Sequence, residues 1–585
     1  MKILLVAIDA KYIHTNLAVQ SLRAYAGKYK DHIDIVQFSI NHTIEEILRG
    51  IYLQEADVVS FSCYIWNISM IREIICSLKK VQPHVKIWFG GPEVSYDPKD
   101  CLINNEGLDG IVIGEGEKTF YELVEYYLGI GTNIDDINGI CYRDSARLED
   151  LKEKNNDSLT MTPYREFISL DDIPFAYEDI ESHKNKIIYY ESSRGCPYSC
   201  SYCLSSAMRG VRFRNIDLVK KELKMFLDHK VPQVKFVDRT FNCNKKHAMD
   251  IWEFIRENDN GITNFHFEIT ADLLSEEELQ LLERLRPGLV QLEIGVQTTN
   301  PDTMEAIKRT VDFKKLSENV KRIKKAHNIH QHLDLIAGLP LEDFDSFEKS
   351  FHDVYKLYPD QLQLGFLKVL KGSMVEDECR DYGIVYNSEP PYEVLYTNHL
   401  SYKDVIELKG ICDMVEVYYN SGQFAYSMKY LEHYYDTPMM LYHSLYHYYD
   451  KNGLYTIAHT RMRRFEILLD FFMENVNKNK NTSDIINDEI NVFKEILIFD
   501  GCLREALKNR PNYAGDSMEY KRFRRICDSI NARRNQVHME EFKYDVITSS
   551  ESGKPIKKNN IIIFDYDNRD PLSNSARIQI LTNNI

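Results

Sequence analysis

The chain lacks the features that mark a membrane protein or a protein with a broad nucleic-acid surface. No part of its 585 residues approaches the ~18 continuous apolar residues that a membrane-spanning helix needs. No signal peptide is expected, because Met1 and Lys2 lead directly into a predicted strand. Basic residues are outnumbered, and the net charge of −17 disfavours an extended nucleic-acid surface. We therefore expect a cytoplasmic protein.

The composition is that of an ordinary globular protein. Hydrophobic residues make up 44% of the chain and charged residues 28%. The length predicts three or four domains, at ~150 residues per domain. Most of the 12 cysteines are scattered and are predicted to be reduced core or surface thiols. These scattered residues are Cys63, Cys76, Cys101, Cys141, Cys243, Cys379, Cys412, Cys502 and Cys527.

The other three cysteines lie together in one loop. Cys196, Cys200 and Cys203 have the spacing C-x3-C-x2-C, and a short apolar run that predicts a buried strand precedes them. Gly195 and Pro197 direct the chain into a loop directly after that strand. The sequence thus presents three thiols just beyond a strand end.

Three closely spaced thiolates suit an iron–sulfur cluster. A 4Fe–4S cluster usually takes four protein thiolates, so three leave one iron open to another ligand. A zinc site and chance clustering are the alternatives. Zinc usually needs a fourth cysteine or histidine at short spacing, and the sequence near the loop offers no obvious one.

This motif, with the aromatic Tyr202 before its last cysteine, resembles that of the radical S-adenosylmethionine (radical SAM) superfamily. The resemblance implies that the open iron chelates the amino and carboxylate groups of S-adenosylmethionine. One electron then cleaves that molecule to a 5′-deoxyadenosyl radical. An electron donor such as flavodoxin or ferredoxin, and a reducing and anaerobic cell, are also implied.

The first third of the chain alternates strands with helices. Strands are predicted over 2–8, 33–38, 58–62, 85–91 and 110–114, and helices over 17–25, 43–53, 70–78 and 119–127. Thr43 is the expected N-cap of the second helix, with Glu46 at the capping-box position. Such alternation predicts a doubly wound, flavodoxin- or Rossmann-like α/β domain with a parallel sheet. Ligands of these sheets bind beyond the carboxyl ends of the strands.

Glycines and serines lie at several of these strand ends. The segments V-S-F-S, F-G-G-P and I-G-E-G-E, in this order, resemble the cobalamin-binding domain that precedes many radical SAM domains. A degenerate flavodoxin-like domain without a ligand is the alternative. The residues that the resemblance assigns to cobalamin are His14, Ser60, Ser62, Gly90, Gly91, Gly114, Glu115 and Gly116.

The loop around His14 departs from the usual cobalamin motif. Ordinary cobalamin domains carry D-x-H-x-x-G, in which the histidine ligates cobalt, whereas here the residues from Asp9 to His14 have a different spacing. His14 therefore either approaches the cobalt or is a loop histidine bonded to backbone or to corrin side chains. Radical SAM relatives often lack the lower histidine ligand, so the cofactor is still expected.

A second alternating region follows a connector. The connector is predicted to contain a hairpin strand near 138–143 and a surface loop over 144–157. The alternation predicts a βα barrel, full or partial. Its six strands resemble the partial (βα)6, TIM-like barrel of the radical SAM family. These strands are predicted over 187–191, 233–237, 264–269, 289–294, 331–336 and 361–366.

Residues at the carboxyl ends of the barrel strands are the candidate contacts for S-adenosylmethionine. Asp238, in a D-x-T-F segment where the family often carries Gly-Gly-Glu, is the carboxylate available to the ammonium group. Glu268 is either a ribose contact or an interior carboxylate held by an arginine or lysine. Glu293 and Gln297 are assigned to ribose or methionyl groups. The residues assigned by the resemblance are Tyr202, Asp238, Glu268, Glu293, Gln297, Ile336 and Leu339.

The final third is predicted to be mainly α-helical. Helices are expected over 405–419, 424–435, 439–449, 461–475 and 484–506, and a strand over 557–566. Its many tyrosines either pack between helices or line a substrate pocket, and packing is favoured. In layout this tail resembles the uncharacterised C-terminal domain of one cobalamin-type radical SAM subfamily. The predicted domains are a cobalamin-binding domain at 1–135, a connector at 136–185, a radical SAM barrel at 186–390 and a C-terminal domain at 391–585.

The two resemblances imply a cobalamin-dependent radical SAM enzyme, most simply a methyltransferase that acts on an unactivated centre of an unidentified small molecule or peptide. Radical rearrangement or cyclisation without methyl transfer is the alternative, and a cobalamin or redox sensor is a further one. A methylthiotransferase is disfavoured, because Cys63, Cys76 and Cys101 form no evident second cluster motif.

Overall fold

A computed structural model describes most of the chain, and its described part divides into two compact units. The described residues are 1–143, 159–207, 210–479, 483–507, 510–516, 518–529 and 533–582. The first unit comprises Met1–Glu293, Met304–Asp312 and Phe366–Asn398. The second comprises Ile294–Thr303, Phe313–Gly365 and His399–Ile585.

The first unit begins with a seven-stranded sheet in the order β2-β1-β3-β4-β5-β6-β7. Its strands are β1 (Ile3–Asp9), β2 (Ile33–Ser39), β3 (Val58–Ser62), β4 (Lys86–Gly90), β5 (Gly110–Val112), β6 (Ile140–Arg143) and β7 (Leu159–Met161). Its helices are α1 (Leu17–Tyr25), α2 (Ile44–Tyr52), α3 (Ile68–Val81), α4 (Pro98–Asn104) and α5 (Glu117–Leu128). Strands β1 to β5 pair in parallel, as predicted.

One detail of this region extends the expectation and one confirms it. The strand predicted in the connector is β6, which pairs antiparallel with β5 and with β7 and so belongs to the sheet. The predicted capping box is present, since the Thr43 hydroxyl accepts from Glu46 N–H and the Glu46 carboxylate accepts from Thr43 N–H. The predicted loop over 144–157 lies outside the described residues.

Successive side chains of β1 point to opposite faces of the sheet. Apolar residues of β1 lie on both faces, so helices cover both. Leu4, Val6 and Ile8 pack in one core with residues of α2, α3 and α4. Ile3 and Leu5, together with Ala7, point to the other core, which contains residues of α1 and α5. The connection from β1 leads to β2 on one side of it, and the later strands lie on the other side, beyond β3. This change of direction between β1 and β3 is the topological switch point, where doubly wound sheets bind ligands.

The six predicted barrel strands form a second sheet in the order β15-β14-β13-β12-β11-β8. They are β8 (Ile188–Tyr190), β11 (Gln233–Phe236), β12 (Asn264–Ile269), β13 (Val290–Gln297), β14 (His330–Ala337) and β15 (Gln361–Phe366). Between and after them lie α6 (Ile216–Asp228), α7 (Lys245–Glu257), α8 (Glu276–Leu282), α9 (Pro301–Ala306), α10 (Phe313–Ala326), α11 (Phe344–Tyr355) and α12 (Met374–Tyr382). Two hairpins, which were not predicted, are β9 (Ser193–Cys196) with β10 (Gly210–Phe213), and β16 (Val385–Tyr386) with β17 (Val394–Tyr396).

The C-terminal region is largely helical, as predicted, but ends in a small sheet. Its helices are α13 (Tyr402–Val415), α14 (Ala425–Glu432), α15 (Pro438–Lys451), α16 (Arg461–Asn479), α17 (Ser483–Arg504), α18 (Tyr520–Ser529) and α19 (Val546–Ser552). Its strands are β18 (Val537–Tyr544), β19 (Lys557–Arg569) and β20 (Ala576–Thr582). The predicted strand is β19, which pairs antiparallel with β18 and with β20.

Asp500 of α17 is expected to make the stability of this helical region depend on pH. Its buried carboxylate accepts hydrogen bonds from the N–H groups of Tyr426 and Ser427, at the start of α14. Burial raises the pKa of Asp500 to about 7, against the lowering effect of the bonds from Ser427. Between the unfolded pKa of 3.8 and about 7 the folded state binds more protons, so stability falls as pH rises through this window.

We expect the parent protein to lose about 3 kcal/mol more unfolding free energy than Asp500→Asn between pH 5 and pH 8. Thermal unfolding of both proteins across this pH range measures the difference. Identical pH profiles for the two proteins would contradict the assignment.

Candidate active site

The cysteine loop begins on the β9–β10 hairpin. Cys196 is the last residue of β9 and pairs with Gly210. Gly195 has a φ of 103°, and a Cβ on it would lie 2.2 Å from the Gly210 carbonyl oxygen, so only glycine fits there. After the hairpin strand the chain turns, and Cys203 N–H donates to the Cys200 carbonyl at 3.1 Å. The backbone thus presents all three thiols from one short loop.

The guanidinium of the half-buried Arg309 lies beside one of these thiols, Cys200. Its Nη1 is 3.8 Å from Cys200 Sγ and 3.4 Å from the Tyr202 hydroxyl. Burial raises the pKa of the Cys200 thiol, whereas the charge of Arg309 lowers it. Cys196 Sγ lies 3.6 Å from the Thr240 hydroxyl. A fixed positive charge favours the thiolate, which is the form that binds metal.

Asp238 holds the segment that leads into the cysteine loop. It is fully buried, and it accepts from Ser192 N–H at 3.0 Å, from the Ser192 hydroxyl at 2.7 Å and from the Ser193 hydroxyl at 2.6 Å. Burial raises the pKa of Asp238 to about 6, although these bonds lower it. Both carboxylate oxygens are therefore engaged with the strand before the cysteines. The contact between Asp238 and the ammonium group of S-adenosylmethionine stays a prediction.

Glu293 is an ionised carboxylate between two basic side chains. Its Oε2 lies 3.0 Å from Lys235 Nζ and 2.9 Å from His266 Nε2. Burial raises its pKa, but the bond from His266 and the charge of Lys235 outweigh burial and lower the pKa to about 2. Glu268, the next predicted carboxylate, is half-buried on β12.

The remaining residues predicted to contact S-adenosylmethionine lie in the second unit. Gln297 ends β13 with a φ of 73°, and its buried Oε1 has no hydrogen-bond partner among the described residues. Ile336 of β14 is half-buried, and Leu339 is fully buried just beyond that strand. An unsatisfied buried carbonyl is costly to maintain, which suits an oxygen that faces a ligand donor.

The loops after β3, β4 and β5 contact one another at the carboxyl edge of the N-terminal sheet. Gly91 has a φ of 114°, and a Cβ there would lie 2.6 Å from the Cys63 carbonyl oxygen. The Ser95 hydroxyl donates to the Gly91 carbonyl at 2.8 Å and accepts from Gly114 N–H at 3.1 Å. Gly114 also has a positive φ, of 74°. The loops after β4 and β5 are therefore joined through the Ser95 hydroxyl.

Two of the predicted cobalamin residues, Ser62 and His14, make side-chain hydrogen bonds, and two others lie within the strands. Asn16 caps α1, and its amide nitrogen donates to Asp9 at 3.1 Å and to the Ser62 hydroxyl at 3.2 Å. His14 Nδ1 lies 2.8 Å from the Tyr189 hydroxyl, and burial followed by the charges of two lysines lowers the pKa of His14. Ser60 is half-buried in β3, and Gly90 is the last residue of β4.

A cavity of about 780 Å³ in the first unit joins the edge of the N-terminal sheet to the cysteine loop. Of the predicted residues, it is lined by Gly91, Gly114, Glu115, Gly116, Tyr202 and Cys203. His14, Ser60, Ser62 and Gly90 lie outside its lining in the described chain. The cavity thus brings four predicted cobalamin residues together with one cluster cysteine and its aromatic neighbour.

Sequence reasoning missed several residues of this cavity. Tyr64 and Trp66, in the loop after β3, stack with ring centroids 4.4 Å apart and both line it. Arg194 also lines it, and pairs with Glu115 at 3.1 Å and with Glu117 at 2.8 Å. A stretch of the connector around residues 173–177 closes another side. The I-G-E-G-E motif pointed to Glu115, but the arginine that meets it lies 79 positions later in the sequence.

The donor set and shape of this region fit the two groups that the motifs imply. Three thiols on one loop beside a guanidinium suit an iron–sulfur cluster. Positive-φ glycines on the wall of a large cavity let a flat, bulky cofactor approach the backbone closely. The stacked aromatic pair adds an apolar surface on the same wall.

Three family models match separate parts of the chain. The model described as "B12 binding domain" matches residues 3–124, and the one described as "Radical SAM superfamily" matches residues 190–354. The third, "Protein of unknown function (DUF4080)", matches residues 380–564. These matches confirm the resemblance that the cysteine loop and the glycine-rich strand ends predicted.

Two curated relatives are named as methyltransferases. The chain is 26% identical over 331 residues to an uncharacterized methyltransferase of Pyrococcus horikoshii, covering 55% of this chain and 69% of that protein. It is 25% identical over 448 residues to the 2-(S-pantetheinyl)-carbapenam-3-carboxylate methyltransferase of Streptantibioticus cattleyicolor, covering 67% of this chain. The chain spans only 61% of the length of that second relative.

A solved structure shares the fold over most of the chain. It is the cobalamin-dependent S-adenosylmethionine radical enzyme OxsB, solved with aqua-cobalamin and S-adenosylmethionine bound. The TM-score is 0.58 at 16% identity, and the match covers 86% of this chain and 84% of that one. Among the described helices, none combines the length and apolar character that crossing a bilayer requires.

Proposed function

Starting from a chain that carries a B12-binding domain and a radical SAM domain, we propose that it is a cobalamin-dependent radical SAM methyltransferase acting on an unactivated centre. The observation that carries the proposal is the cavity between the cysteine loop and the glycine edge of the N-terminal sheet. The names of the two relatives support methyl transfer as the outcome.

In this proposal Cys196, Cys200 and Cys203 hold a 4Fe–4S cluster, and Gly91, Gly114 and Gly116 border the cobalamin site. When bound, the cluster supplies an electron for cleavage of S-adenosylmethionine, and cobalamin supplies methyl-transfer chemistry. An external reductant such as flavodoxin or ferredoxin is the proposed electron donor. The proposed contacts of S-adenosylmethionine remain Tyr202, Asp238, Glu268, Glu293, Gln297, Ile336 and Leu339.

The chain's own residues orient these groups. Asp238 fixes the strand before the cysteines through both serines, and Arg309 places a positive charge beside Cys200. Arg194 ties the glutamates of the I-G-E-G-E loop to the cysteine hairpin, which keeps the two walls of the cavity together. Tyr64 and Trp66 present an apolar surface that limits access of water.

Replacing Gly91 with alanine is expected to weaken corrin binding and spare the cluster. The new Cβ would meet the Cys63 carbonyl at 2.6 Å in a backbone conformation that disfavours a side chain. Each 1.4 kcal/mol of strain or clash on the cavity wall weakens binding ~10-fold, so we expect a loss of at least about tenfold. The measurement is the corrin and iron content of protein reconstituted with iron, sulfide and hydroxocobalamin.

Gly131→Ala is the matched control, since Gly131 also has a positive φ, of 85°, but has open space around the added methyl group.

Reduced parent protein should also form 5′-deoxyadenosine and, with a competent substrate, S-adenosylhomocysteine. Parent protein that takes up no corrin would contradict the proposed function. Cleavage without S-adenosylhomocysteine would instead indicate rearrangement or cyclisation.

A further inference from the structure

Three potential metal ligands converge on two helices of the C-terminal region, far along the chain from the cysteine loop. Glu407 lies on α13, and His443 and His447 lie one turn apart on α15, so the imidazoles occupy the same helix face. Glu407 Oε2 is 2.8 Å from His443 Nε2 and 3.3 Å from His447 Nε2. The two Nε2 atoms are 3.1 Å apart. All three ligand atoms therefore lie within 3.3 Å of one another.

Close packing of the two helices produces this convergence. Gly410 follows Glu407 by almost one turn on α13, and a Cβ on Gly410 would lie 2.1 Å from the ring of Tyr446. Only a glycine lets α15 approach so closely at this level. Tyr446 precedes His447, and its ring centroid lies 5.1 Å from the His447 ring. The short separation of the helices brings the carboxylate close to both imidazoles.

The triangle of ligand atoms has the size that a transition metal needs. Its three sides correspond to a circumscribed circle with a radius of about 1.8 Å, which is below the usual Zn–N distance of ~2.0–2.1 Å. A cation at that distance from all three atoms would therefore lie about 1 Å outside their plane. A hydrogen-bonded triad is the competing arrangement, and it requires one imidazole to donate to the lone pair of the other.

The exposure of the three side chains leaves space for a fourth ligand. The His447 side chain is 53% exposed and the His443 side chain 33%, whereas Glu407 is 18% exposed. One face of the triangle is thus open to water. Two neutral imidazoles and one carboxylate supply a single negative charge, which partly balances a divalent cation. Imidazole suits zinc and iron and is a poor ligand for magnesium.

We propose that Glu407, His443 and His447 bind one divalent transition-metal cation, Zn²⁺ or Fe²⁺, with water in the remaining position. The bound cation would clamp α13 to α15. This site is independent of the proposed cluster and cobalamin, because its residues all lie in the second unit and share no side chain with the cysteine loop.

The test measures metal bound by the full-length chain after anaerobic incubation with Zn²⁺, Fe²⁺ or Mg²⁺ and desalting. We expect the parent to retain one more equivalent of Zn²⁺ or Fe²⁺ per chain than the double variant His443→Ala/His447→Ala, and neither protein to retain Mg²⁺. Competition with a chromophoric chelator should show zinc affinity at least ~10-fold weaker in Glu407→Gln, which keeps the shape of the side chain and loses its charge.

His327→Ala is the matched control, because His327 is an exposed histidine of the same unit that pairs with a carboxylate, Asp570, outside the triad. The His327→Ala protein should bind as much zinc as the parent does. Zinc that binds cysteines is present in parent and variants alike, so the difference between them reports only this site. Far-ultraviolet circular dichroism verifies that each variant folds. Equal zinc content in the folded parent and double variant, or equal affinity in Glu407→Gln, would leave a hydrogen-bonded triad and overturn the proposal.

Discussion

Replacing Cys200 with alanine is expected to abolish the reductive cleavage of S-adenosylmethionine to 5′-deoxyadenosine. Cys200 is the most buried of the three loop thiols, and it is the one beside the Arg309 guanidinium. A 4Fe–4S cluster that already has only three protein ligands would keep two. Protein reconstituted with iron and sulfide, reduced and supplied with S-adenosylmethionine, should then form product only at the rate of a reaction without protein.

The control for this variant is Cys76→Ala, because Cys76 is an exposed thiol on α3, outside the cysteine loop. It should keep the iron content and the cleavage rate of the parent. A Cys200→Ala protein that retains both would show that the loop does not hold the catalytic cluster. Loss of iron from Cys76→Ala as well would point to general destabilisation by cysteine replacement.

The alternating elements were predictable because their apolar residues follow simple periods. In β1 both sets of alternate residues are apolar, as expected for a strand covered on both faces, and the adjacent helices supply the stripes that cover them. The capping box at Thr43 and Glu46 also identified a helix start from local chemistry alone. These signals act within a few residues, so they can be read from one sequence.

Elements that depend on distant partners were missed. The β9–β10 hairpin pairs Cys196 with Gly210 across the whole cysteine loop, and nothing in the local pattern of either strand announces that partner. In the C-terminal sheet, β19 was predicted from its apolar run, but its neighbour β18 reads His-Met-Glu-Glu-Phe-Lys-Tyr from residue 538 and lacks a clean alternation. Tertiary pairing determines these strands more than their own sequence does.

In the candidate site, too, local motifs predicted some residues, whereas contacts with distant partners determined others. Of the residues identified by motif, Cys203 and the I-G-E-G-E residues Gly114, Glu115 and Gly116 border one cavity, whereas Cys196 and Cys200 lie outside its lining. Ser62 and His14, in contrast, are bonded to Asn16 and Tyr189, and their side chains do not reach that cavity in the described structure. The direction of a strand-end side chain depends on the exact register and on its partners, which sequence spacing alone does not specify.

Removing the Glu222 carboxylate is expected to destabilise the wall behind the cysteine loop by about 3–5 kcal/mol. Glu222 of α6 accepts from Arg214 Nε at 3.0 Å and Nη2 at 2.6 Å, and from the Tyr190 hydroxyl at 2.7 Å. The side chains of the ion pair are only 8% and 7% exposed. Glu222→Ala therefore leaves a buried guanidinium without its counter-charge, and leaves the end of β8, which leads into the cysteines, without a hydrogen-bond acceptor.

The midpoint of thermal unfolding should fall by roughly 10 °C in Glu222→Ala. This figure uses the ~2–4 °C per kcal/mol that is usual for domains of ~150–250 residues. The same helix provides a control. Asp228 forms an exposed i,i+4 pair with Lys224, and Asp228→Ala should change stability by no more than ~0.5 kcal/mol. Equal effects of the two substitutions would mean that Arg214 finds another partner or reaches solvent.

The double variant Arg214→Met/Glu222→Leu separates loss of the pair from loss of one partner. Two apolar side chains of similar volume avoid the desolvation of both charges, so part of the stability lost in Glu222→Ala should return. The Tyr190 hydroxyl would still lack its acceptor, and a residual loss of about 1–3 kcal/mol is expected from that unsatisfied group. Iron content after reconstitution then distinguishes two roles of the pair. If iron content recovers together with stability, the pair acts on the cysteine loop only by holding β8 in place. If stability returns and iron content does not, the charges themselves are needed at the cavity wall.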